Sequence, residues 1–267
     1  SKNAIFRRFD NLADALTPLT EGVTPNAEQV TKFDITATVQ QYGKVVELSD
    51  DVIITVQDQT ANEVADMLAQ NMASTYDKIV RNMLVATSAQ IDCLNGVNGN
   101  AVTEVTTTDL EIAVDYVTNN NGKKLSPNQE GTNAFGTAPV WSAFWMVISS
   151  ELRTDFKNLS TFLATAEYPR QQSVLEAELG SCDEVRLVMT SEAFKDASSP
   201  PIYSNMLFAA NSYGRIMIDD QSMEMIIKPL GAGQDPLNQR QTMGWKGRLG
   251  SVILDDSWCI NLRSTKG

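Results

Sequence analysis

The sequence predicts an α+β fold, in which helices and strands are interleaved without the regular strand–helix–strand period of a parallel sheet. Two observations carry this prediction. Apolar residues between Val64 and Ile91 recur at intervals of three and four or their multiples, which is the period of one helix face. Residues 33–39 instead alternate apolar and polar side chains, which is the period of a strand with one buried face.

Length and composition indicate a globular chain with a sizeable core and an acidic surface. The chain has 267 residues, of which 42% are hydrophobic and 20% charged, and its formal net charge is −12. A chain of this length can form one large domain or two small ones. The excess of carboxylates argues against sequence-independent nucleic-acid binding, which needs lysine and arginine to displace counterions. A solvated surface explains such a charge, and a container wall that must not adhere to enclosed DNA is the functional alternative.

The residue inventory argues against catalysis. The chain has no histidine, which removes Ser-His and Cys-His nucleophiles and most transition-metal sites. Cys93, Cys182 and Cys259 are widely spaced and form no CxxC pair, so we expect buried free thiols. We therefore predict no enzyme activity, no cofactor and no bound metal. No apolar run approaches the roughly 20 residues of a membrane helix, so we also expect no membrane association.

Three acidic pairs are the remaining candidates for chemistry, namely Asp50-Asp51, Asp219-Asp220 and Asp255-Asp256. A histidine-free hydrolase would need two of these pairs to converge in one pocket. Adjacent residues of a strand point to opposite faces, and aspartate is favoured at turns. We therefore interpret the pairs as turn residues, with the hydrolase as an open alternative.

The order of patterns along the chain suggests a sequence of distinct parts. Residues 1–27 contain prolines and a glycine that break a regular helix, so we expect an arm that is ordered by a partner. Residues 28–58 predict a long hairpin that turns at residues 40–43. Residues 61–92 predict one helix more than about 40 Å long. A second helix is expected to begin at a cap at 108–109.

The C-terminal segment is the most distinctive part of the chain, although it contains no plausible reaction centre. Two β-like runs flank a turn in which Asp235 and Asn238 bracket a proline and a leucine, and Arg240 and Trp245 follow. Such turn residues serve backbone geometry. The segment therefore points to contact and packing as its role, and it is expected to return beside the long helix.

Taken in order, these features resemble the major capsid proteins of tailed bacteriophages, in particular the N4-like family. The resemblance covers most of the chain and is most specific in the C-terminal motif. The stretches that carry it are LTEGVTP (19–25), ITATVQQYG (35–43), VELSD (46–50), the predicted helix 61–92, residues 148–155 with LRTD at their end, DPLNQRQTMGWK (235–246) and ILDD (253–256).

The resemblance implies the Hong Kong 97-type capsid fold, which has an N-terminal arm, an extended-loop hairpin, a peripheral domain with a long spine helix, and an axial domain. In this sequence we expect the N-terminal arm at 1–27 and the extended loop at 28–60. The peripheral domain with the spine helix is expected at 61–108, the axial domain at 109–224, and a return to the peripheral domain at 225–267.

The resemblance also implies a function. The protein would be a major capsid protein that self-assembles as hexamers and pentamers into the icosahedral head enclosing phage double-stranded DNA, without sequence-specific binding. Its partners would be further copies of the chain, a portal protein, and scaffolding or decoration proteins. It would assemble in the host cytoplasm and reside in the virion. A bacterial nanocompartment (encapsulin-like) shell protein shares the fold and stays open as an alternative, which packaged protein cargo would support.

We expect the assembly contacts to come from the arm, the hairpin, the axial-domain rim and the C-terminal turn, because a two-stranded hairpin alone is marginally stable in water. A variant that lacks residues 30–56 is therefore expected to fold but not to assemble. The expected contact residues are Phe6, Arg7, Arg8, Phe33, Ile35, Tyr42, Lys44, Arg153, Asp235, Arg240 and Trp245.

Overall fold

Within the residues that it describes, the computed structural model of the chain contains three β-sheets and four α-helices. One sheet is large, one is smaller and carries the longest helix, and one is a two-stranded ribbon. The described residues are 2–9, 12, 14–19, 21–22, 24, 27–55, 60–125, 142–168, 175–216, 223–231 and 237–267.

Helices and strands are interleaved along the chain, which confirms the α+β prediction. The strands are β1 (Asn3–Phe9), β2 (Lys32–Thr38), β3 (Gln40–Ser49), β4 (Gln90–Asp92), β5 (Phe144–Ser149), β6 (Phe162–Ala164), β7 (Glu178–Cys182), β8 (Val185–Thr190), β9 (Tyr203–Phe208), β10 (Tyr213–Ile216), β11 (Met223–Lys228), β12 (Arg240–Ile253) and β13 (Cys259–Ser264). The helices are α1 (Asp50–Thr55), α2 (Thr60–Val85), α3 (Thr107–Asn119) and α4 (Arg153–Lys157), with 3₁₀ turns at Ser150–Leu152, Thr165–Glu167 and Asp256–Trp258.

The large sheet has seven strands in the order β4-β13-β9-β5-β8-β7-β6. The pairs β4–β13 and β5–β8 are parallel, and the other pairs are antiparallel. Helices α3 and α4 contribute Leu110, Val117 and Phe156 to the main hydrophobic core, together with Phe144 and Leu207 of the sheet. None of these five side chains is more than 1% exposed. This part of the chain therefore builds its own core.

The smaller sheet carries helix α2. Its central strand β12 pairs with β3 on one side and with β11 and β10 on the other. Leu68 of α2 packs on Met243 and Trp245 of β12, which form a small core. Near the end of the helix, Leu84 packs with Met206 of the seven-stranded sheet. Helix α2 therefore connects the two sheets.

The third sheet is the two-stranded ribbon of β1 and β2, which we call the arm ribbon. Its strands are antiparallel, and Phe9 stands opposite Lys32 at one end. Next to β2, the N–H of Val39 donates to the carbonyl oxygen of Lys2 at 2.8 Å. Because β3 begins at the next residue, the arm ribbon continues directly from the smaller sheet.

The predicted hairpin within residues 28–58 is wrong in its pairing. Among the described strands, β2 pairs with β1 and β3 pairs with β12, so β2 and β3 do not pair with each other. Gly43 suggests a turn in the sequence, but it lies within β3. An added Cβ there would stand 2.6 Å from the carbonyl oxygen of Trp245. This glycine permits the close approach of two strands and does not reverse the chain.

Helix α2 is shorter than predicted. It has 26 residues and is about 39 Å long at a rise of about 1.5 Å per residue, whereas the sequence predicts a helix to residue 92. Ile91 fits the helical period, but it belongs to β4, which pairs with β13. Thr87 holds the turn between helix and strand by donating its hydroxyl to the carbonyl oxygen of Cys259 at 2.9 Å. Strand pairing with a buried neighbour therefore ends the helix before the apolar period ends.

Helix α3 begins earlier than the predicted cap at 108–109. Its N-cap is Thr106, whose side chain accepts a hydrogen bond from the N–H of Asp109. The Asp109 carboxylate in turn accepts from the N–H of Thr106 at 3.1 Å. This reciprocal pair is a capping box, so Asp109 acts at the third helical position and not at the cap.

The C-terminal residues divide between the smaller sheet and the seven-stranded sheet. Strands β11 and β12 lie on the two predicted β-like runs and pair antiparallel, and β12 packs on α2 as expected. Strand β13 instead lies between β4 and β9 in the seven-stranded sheet. Residues 225–267 therefore contribute strands to two sheets. The boundaries of all the expected domains, including the return at 225–267, stay predictions.

The three cysteines are buried free thiols, which confirms the prediction. Burial raises the pKa of Cys259 to about 12 and also raises the pKa of Cys93 and Cys182. Such thiols are protonated at neutral pH and react slowly. No helix in the described part of the chain has both the length and the apolar character to cross a membrane.

Candidate assembly surface

One face of the arm ribbon is anchored to the rest of the chain. The ring of Phe6 lies on Gly214 of β10, where an added Cβ would come within 2.8 Å of it. Arg8 forms an ion pair with Asp255 at 2.7 Å. Phe6 and Arg8 therefore hold the arm ribbon on its own subunit, and their expected contacts with other copies stay predictions.

Phe33 and Ile35 lie on this anchored face, opposite Arg8 and Phe6 in the strand register. The guanidinium of Arg8 lies 5.7 Å from the centre of the Phe33 ring, which is a cation–π contact. Phe33 remains 46% exposed, whereas Ile35 is half-buried. Of the two residues, Phe33 therefore has the larger exposed surface for a contact with another copy.

The opposite face of the arm ribbon is open. Ile5 and Phe9 are each 61% exposed, and the intervening Arg7 forms an exposed ion pair with Asp34 at 3.5 Å. Strand alternation places these β1 residues on one face. A two-stranded sheet is marginal alone, and neighbouring exposed apolar residues mark interaction sites. This face is the first candidate surface for contact between copies.

Tyr42 and Trp245 lie in and beside the small core under α2. Trp245 is 7% exposed, and its indole N–H donates to the side-chain oxygen of Asn71 at 3.2 Å. Tyr42 is half-buried against the same cluster. Trp245 therefore packs largely inside its own subunit, and its expected role in assembly stays a prediction.

Three further expected contact residues are exposed in the structure. Lys44 lies on β3, and Arg153 is the first residue of α4. Arg240 forms an ion pair with Glu47 at 3.2 Å, with its side chain 65% exposed. Asp235 lies outside the described residues. The roles of these residues in assembly stay predictions.

A second open surface lies on β11, and the sequence interpretation missed it. Met225 and Ile227 are 40% and 53% exposed, although their register partners are Trp245 and Met243 of the small core. Helix α2 packs over β3 and β12 and leaves this side of β11 partly open. The available signal was the run Met223–Lys228, whose apolar residues fall on both faces of the strand.

In the seven-stranded sheet, a buried ion pair fixes β7 to β8. Arg186 and Glu178 are 3% and 7% exposed, and the Arg186 Nε donates to the carboxylate at 2.8 Å. The hydroxyl of Tyr168 donates to the same carboxylate at 3.1 Å, and burial raises the pKa of Tyr168 to about 12. Loss of one partner would leave an uncompensated buried charge, so the network resists any change in this pairing.

An exposed charged cluster lies at one end of the seven-stranded sheet, close to α4. The Glu151 carboxylate accepts hydrogen bonds from Lys195 at 2.8 Å and from the hydroxyl of Tyr203. These two donors, Lys195 first, lower the pKa of Glu151 below its usual value. The cluster therefore keeps Glu151 charged when other carboxylates begin to take up protons.

The acidic pairs do not meet as the hydrolase alternative requires, as far as they are described. Asp50-Asp51 opens α1 beside the beginning of β12, where the Asp50 N–H donates to the carbonyl oxygen of Gln239. Asp255-Asp256 lies beyond the other end of β12, a strand of 14 residues that is about 45 Å long at roughly 3.3 Å per residue. Asp219-Asp220 lies outside the described residues.

Comparison with known proteins identifies similar chains. A family model described as phage capsid protein matches residues 32–261. No curated protein matches. Among solved structures, the capsid of Ralstonia phage GP4 is similar with a TM-score of 0.70 at 11% identity, over 100% of this chain and 84% of that chain. The capsid of Helicobacter pylori bacteriophage KHP30 gives 0.67 at 12% identity, over 99% and 85%. The capsid of cyanophage P-SCSP1u gives 0.63 at 16% identity, over 100% and 84%.

Proposed function

The chain belongs to the phage capsid protein family and has the Hong Kong 97-like fold, and from this premise we propose how it builds a shell. It is a major capsid protein that forms the phage head and is part of the virion. In our proposal it is a member of the N4-like group, and its copies assemble in the host cytoplasm as hexamers and pentamers. These close into an icosahedral head around double-stranded DNA.

The observation that carries the assembly proposal is the open face of the arm ribbon. Ile5 and Phe9 are each 61% exposed on a two-stranded sheet that has little stability of its own. Burial of two such side chains against a neighbouring copy contributes about 1.5 kcal/mol or more for each. A single contact of this size is weak, but a closed shell repeats it many times, and multivalency then stabilises the assembly.

The charge of the chain supports enclosure of DNA without adhesion to it. The formal net charge of −12 repels a polyanion, and DNA binding through phosphates would need clustered lysine and arginine. We therefore propose that the shell contains the DNA without reading its sequence. A portal protein, and scaffolding or decoration proteins, are the further partners that we propose for this head.

The contents of the shell distinguish the nanocompartment alternative from the phage proposal. The family match favours a phage head, whereas a nanocompartment shell would enclose protein. The hydrolase alternative loses support because two of its three acidic pairs lie at opposite ends of β12. Nucleic acid inside shells isolated from infected cells supports the phage proposal, and packaged protein alone would decide for the nanocompartment.

The deletion of residues 30–56 is not a clean test of assembly. It removes β3, whose Val46 and Leu48 pack against the small core, so it would unfold part of the subunit. Substitution of the open face, Ile5→Ser with Phe9→Ser, avoids this problem. Val97→Ser is the matched control, because Val97 is 94% exposed and belongs to none of the proposed contact surfaces.

The test compares purified wild-type, I5S/F9S and V97S proteins by negative-stain electron microscopy and by thermal unfolding of the dissociated subunits. We expect shells of uniform diameter from wild type and V97S. From I5S/F9S we expect unchanged subunit unfolding but at least about tenfold fewer shells. If wild type forms no shells, self-assembly without other proteins is wrong. If I5S/F9S assembles as well as wild type, the open face of the arm ribbon is not an assembly contact.

A further inference from the structure

Strand β11 forms an edge of the smaller sheet. It pairs with β12 on one side, and no described residue pairs with it on the other. Five of its six residues are exposed, and Ile226 alone is half-buried. Unpaired backbone groups on an exposed apolar edge are a template for pairing with a strand of another chain, unless charge or shape prevents it.

The charges on β11 favour a second copy of the same strand as the partner. On one face, Glu224 and Lys228 flank Ile226 symmetrically, two residues to either side. When two copies pair antiparallel about a two-fold axis at Ile226, Glu224 of each copy stands directly opposite Lys228 of the other. Opposite charges at directly facing positions stabilise an antiparallel pair, and like charges destabilise it.

The alternative registers lack this complementarity. An axis at Met225 would place Glu224 opposite Ile226, and an axis at Ile227 would place Lys228 opposite Ile226. The axis at Ile226 also places Met225 opposite Ile227 on the other face, where these side chains are 40% and 53% exposed. The charged face and the apolar face therefore select the same register.

Within the described residues, Glu224 and Lys228 differ in the ion pairs that they already form. Glu224 already forms an exposed ion pair with Lys246 of β12 at 3.0 Å, whereas Lys228 has no ion pair with any residue in the described part of the chain. In the symmetric pair, Glu224 lies between Lys246 of its own copy and Lys228 of the other. Pro229 follows directly and ends the pairing, because proline has no N–H to donate.

We propose that two copies of this chain join through β11 in an antiparallel, two-fold symmetric pair centred on Ile226, so that the smaller sheets of both copies become one continuous sheet. This inference rests on the proposed function, because it names one of the contacts that build the shell. A pair of six-residue strands buries far less than the roughly 1,600 Å² of a stable complex. The contact is therefore weak between free subunits and effective only when the shell repeats it.

Charge reversal tests the register. In Glu224→Lys alone, lysines face each other in every symmetric pair, and in Lys228→Glu alone, glutamates do. Each variant should associate about tenfold less well than wild type. In an equal mixture of the two variants, a pair with one copy of each again has opposite charges at both facing positions, because one strand carries two lysines and the other two glutamates. Assembly should therefore return. Glu184→Lys, which breaks the exposed Lys124–Glu184 pair elsewhere, is the matched control and should assemble as wild type does.

A cysteine at the axis tests the geometry independently. Facing Cα atoms in an antiparallel pair lie about 4.5 to 5.5 Å apart, which is within the span of a disulfide. Ile226→Cys should therefore give covalent dimers when shells are mildly oxidised. The native cysteines are buried and should not add cross-links of their own. Val97→Cys is the control: Val97 is 94% exposed in the loop that follows β4, outside the proposed contact surfaces, and should give few dimers.

The outcomes separate this inference from the proposed function. Rescue by mixing, together with dimers from I226C and few from V97C, supports the β11 pair. Normal shells from both charge variants, no rescue on mixing, or equal cross-linking of I226C and V97C would each overturn it and leave the capsid function standing. Absence of shells from wild-type protein would count against self-assembly itself, since the β11 contact is required only within a shell.

Discussion

In the seven-stranded sheet, the central strands have neighbours on both sides, and Met146, Ile148 and Leu207 are fully buried. In the arm ribbon, two strands pair only with each other among the described elements, one face rests on β10, and Ile5 and Phe9 remain 61% exposed. The central strands of the seven-stranded sheet are paired and buried within the subunit, whereas the arm ribbon leaves one of its two faces exposed. The difference separates residues that make the subunit stable from residues that make it assemble.

The smaller sheet lies between these two extremes. Its core has three buried side chains, Leu68, Met243 and Trp245, whereas the edge β11 is open on one side. A shell subunit needs both kinds of region, because a surface that is already buried within one copy cannot be buried further by contact with the next copy. The cost of a substitution to subunit stability should therefore fall from the seven-stranded sheet to the small core and then to the exposed cluster around Glu151.

The largest effect is expected in the seven-stranded sheet. Phe144 is 1% exposed in the main core, so Phe144→Ala removes buried surface and leaves a cavity. We expect it to lower the free energy of unfolding by about 3–5 kcal/mol. Denaturant unfolding of the dissociated subunit measures this. Leu163→Ala on the edge strand β6, where Leu163 is 40% exposed, is the control and should cost less than about 1 kcal/mol.

An intermediate effect is expected in the small core. Leu68 is 2% exposed and its neighbour Met67 is 68% exposed on the same helix. Leu68→Ala should cost about 2–3 kcal/mol, at the low end for a buried leucine because the core is small. Met67→Ala should change stability by no more than about 0.5 kcal/mol. Equal costs in the two variants would show that α2 does not hold the smaller sheet through this face.

The smallest effect is expected at the exposed cluster around Glu151 and should appear only in acid. Lys195 and the Tyr203 hydroxyl lower the pKa of Glu151 in the folded state. Its contribution to stability is therefore complete above the ordinary pKa of 4.5 and is lost as the pH falls through the lower folded value. Glu151→Gln carries no charge at any pH, so its unfolding temperature should decline less steeply than that of wild type below about pH 5. Parallel slopes would contradict this assignment.

Periodicity and composition were sufficient to predict the elements that depend on local pattern. The α+β class, the existence of α2, the β-like runs of β11 and β12 and the buried cysteines all follow from residues close in sequence. The end of α2 did not follow, because Ile91 satisfies the helical period while its strand pairs with β13, about 170 residues later. Local pattern cannot show that a distant strand will compete for the same residues.

Strand partners and exposure were the parts that the sequence could not supply. Alternation from Phe33 to Val39 predicts which side chains share a face, but it does not say that β2 pairs with β1 or that β3 pairs with β12. Because the sequence does not give the strand partners, it also could not show which of the expected contact residues are buried. Trp245 packs on Leu68 of α2 and is buried, whereas its register partner Met225 is 40% exposed.

Amide hydrogen exchange, followed by mass spectrometry in the dissociated subunit and in the assembled shell, tests the contrast between the two regions most directly. Exchange rates report how often each strand opens. We predict that β5 and β9 exchange slowly in both states, whereas β1 and β2 exchange quickly in the subunit and become protected in the shell. Protection of β1 and β2 already in the free subunit, or rapid exchange of both in the shell, would contradict the division into a self-sufficient core and an assembly-dependent arm ribbon.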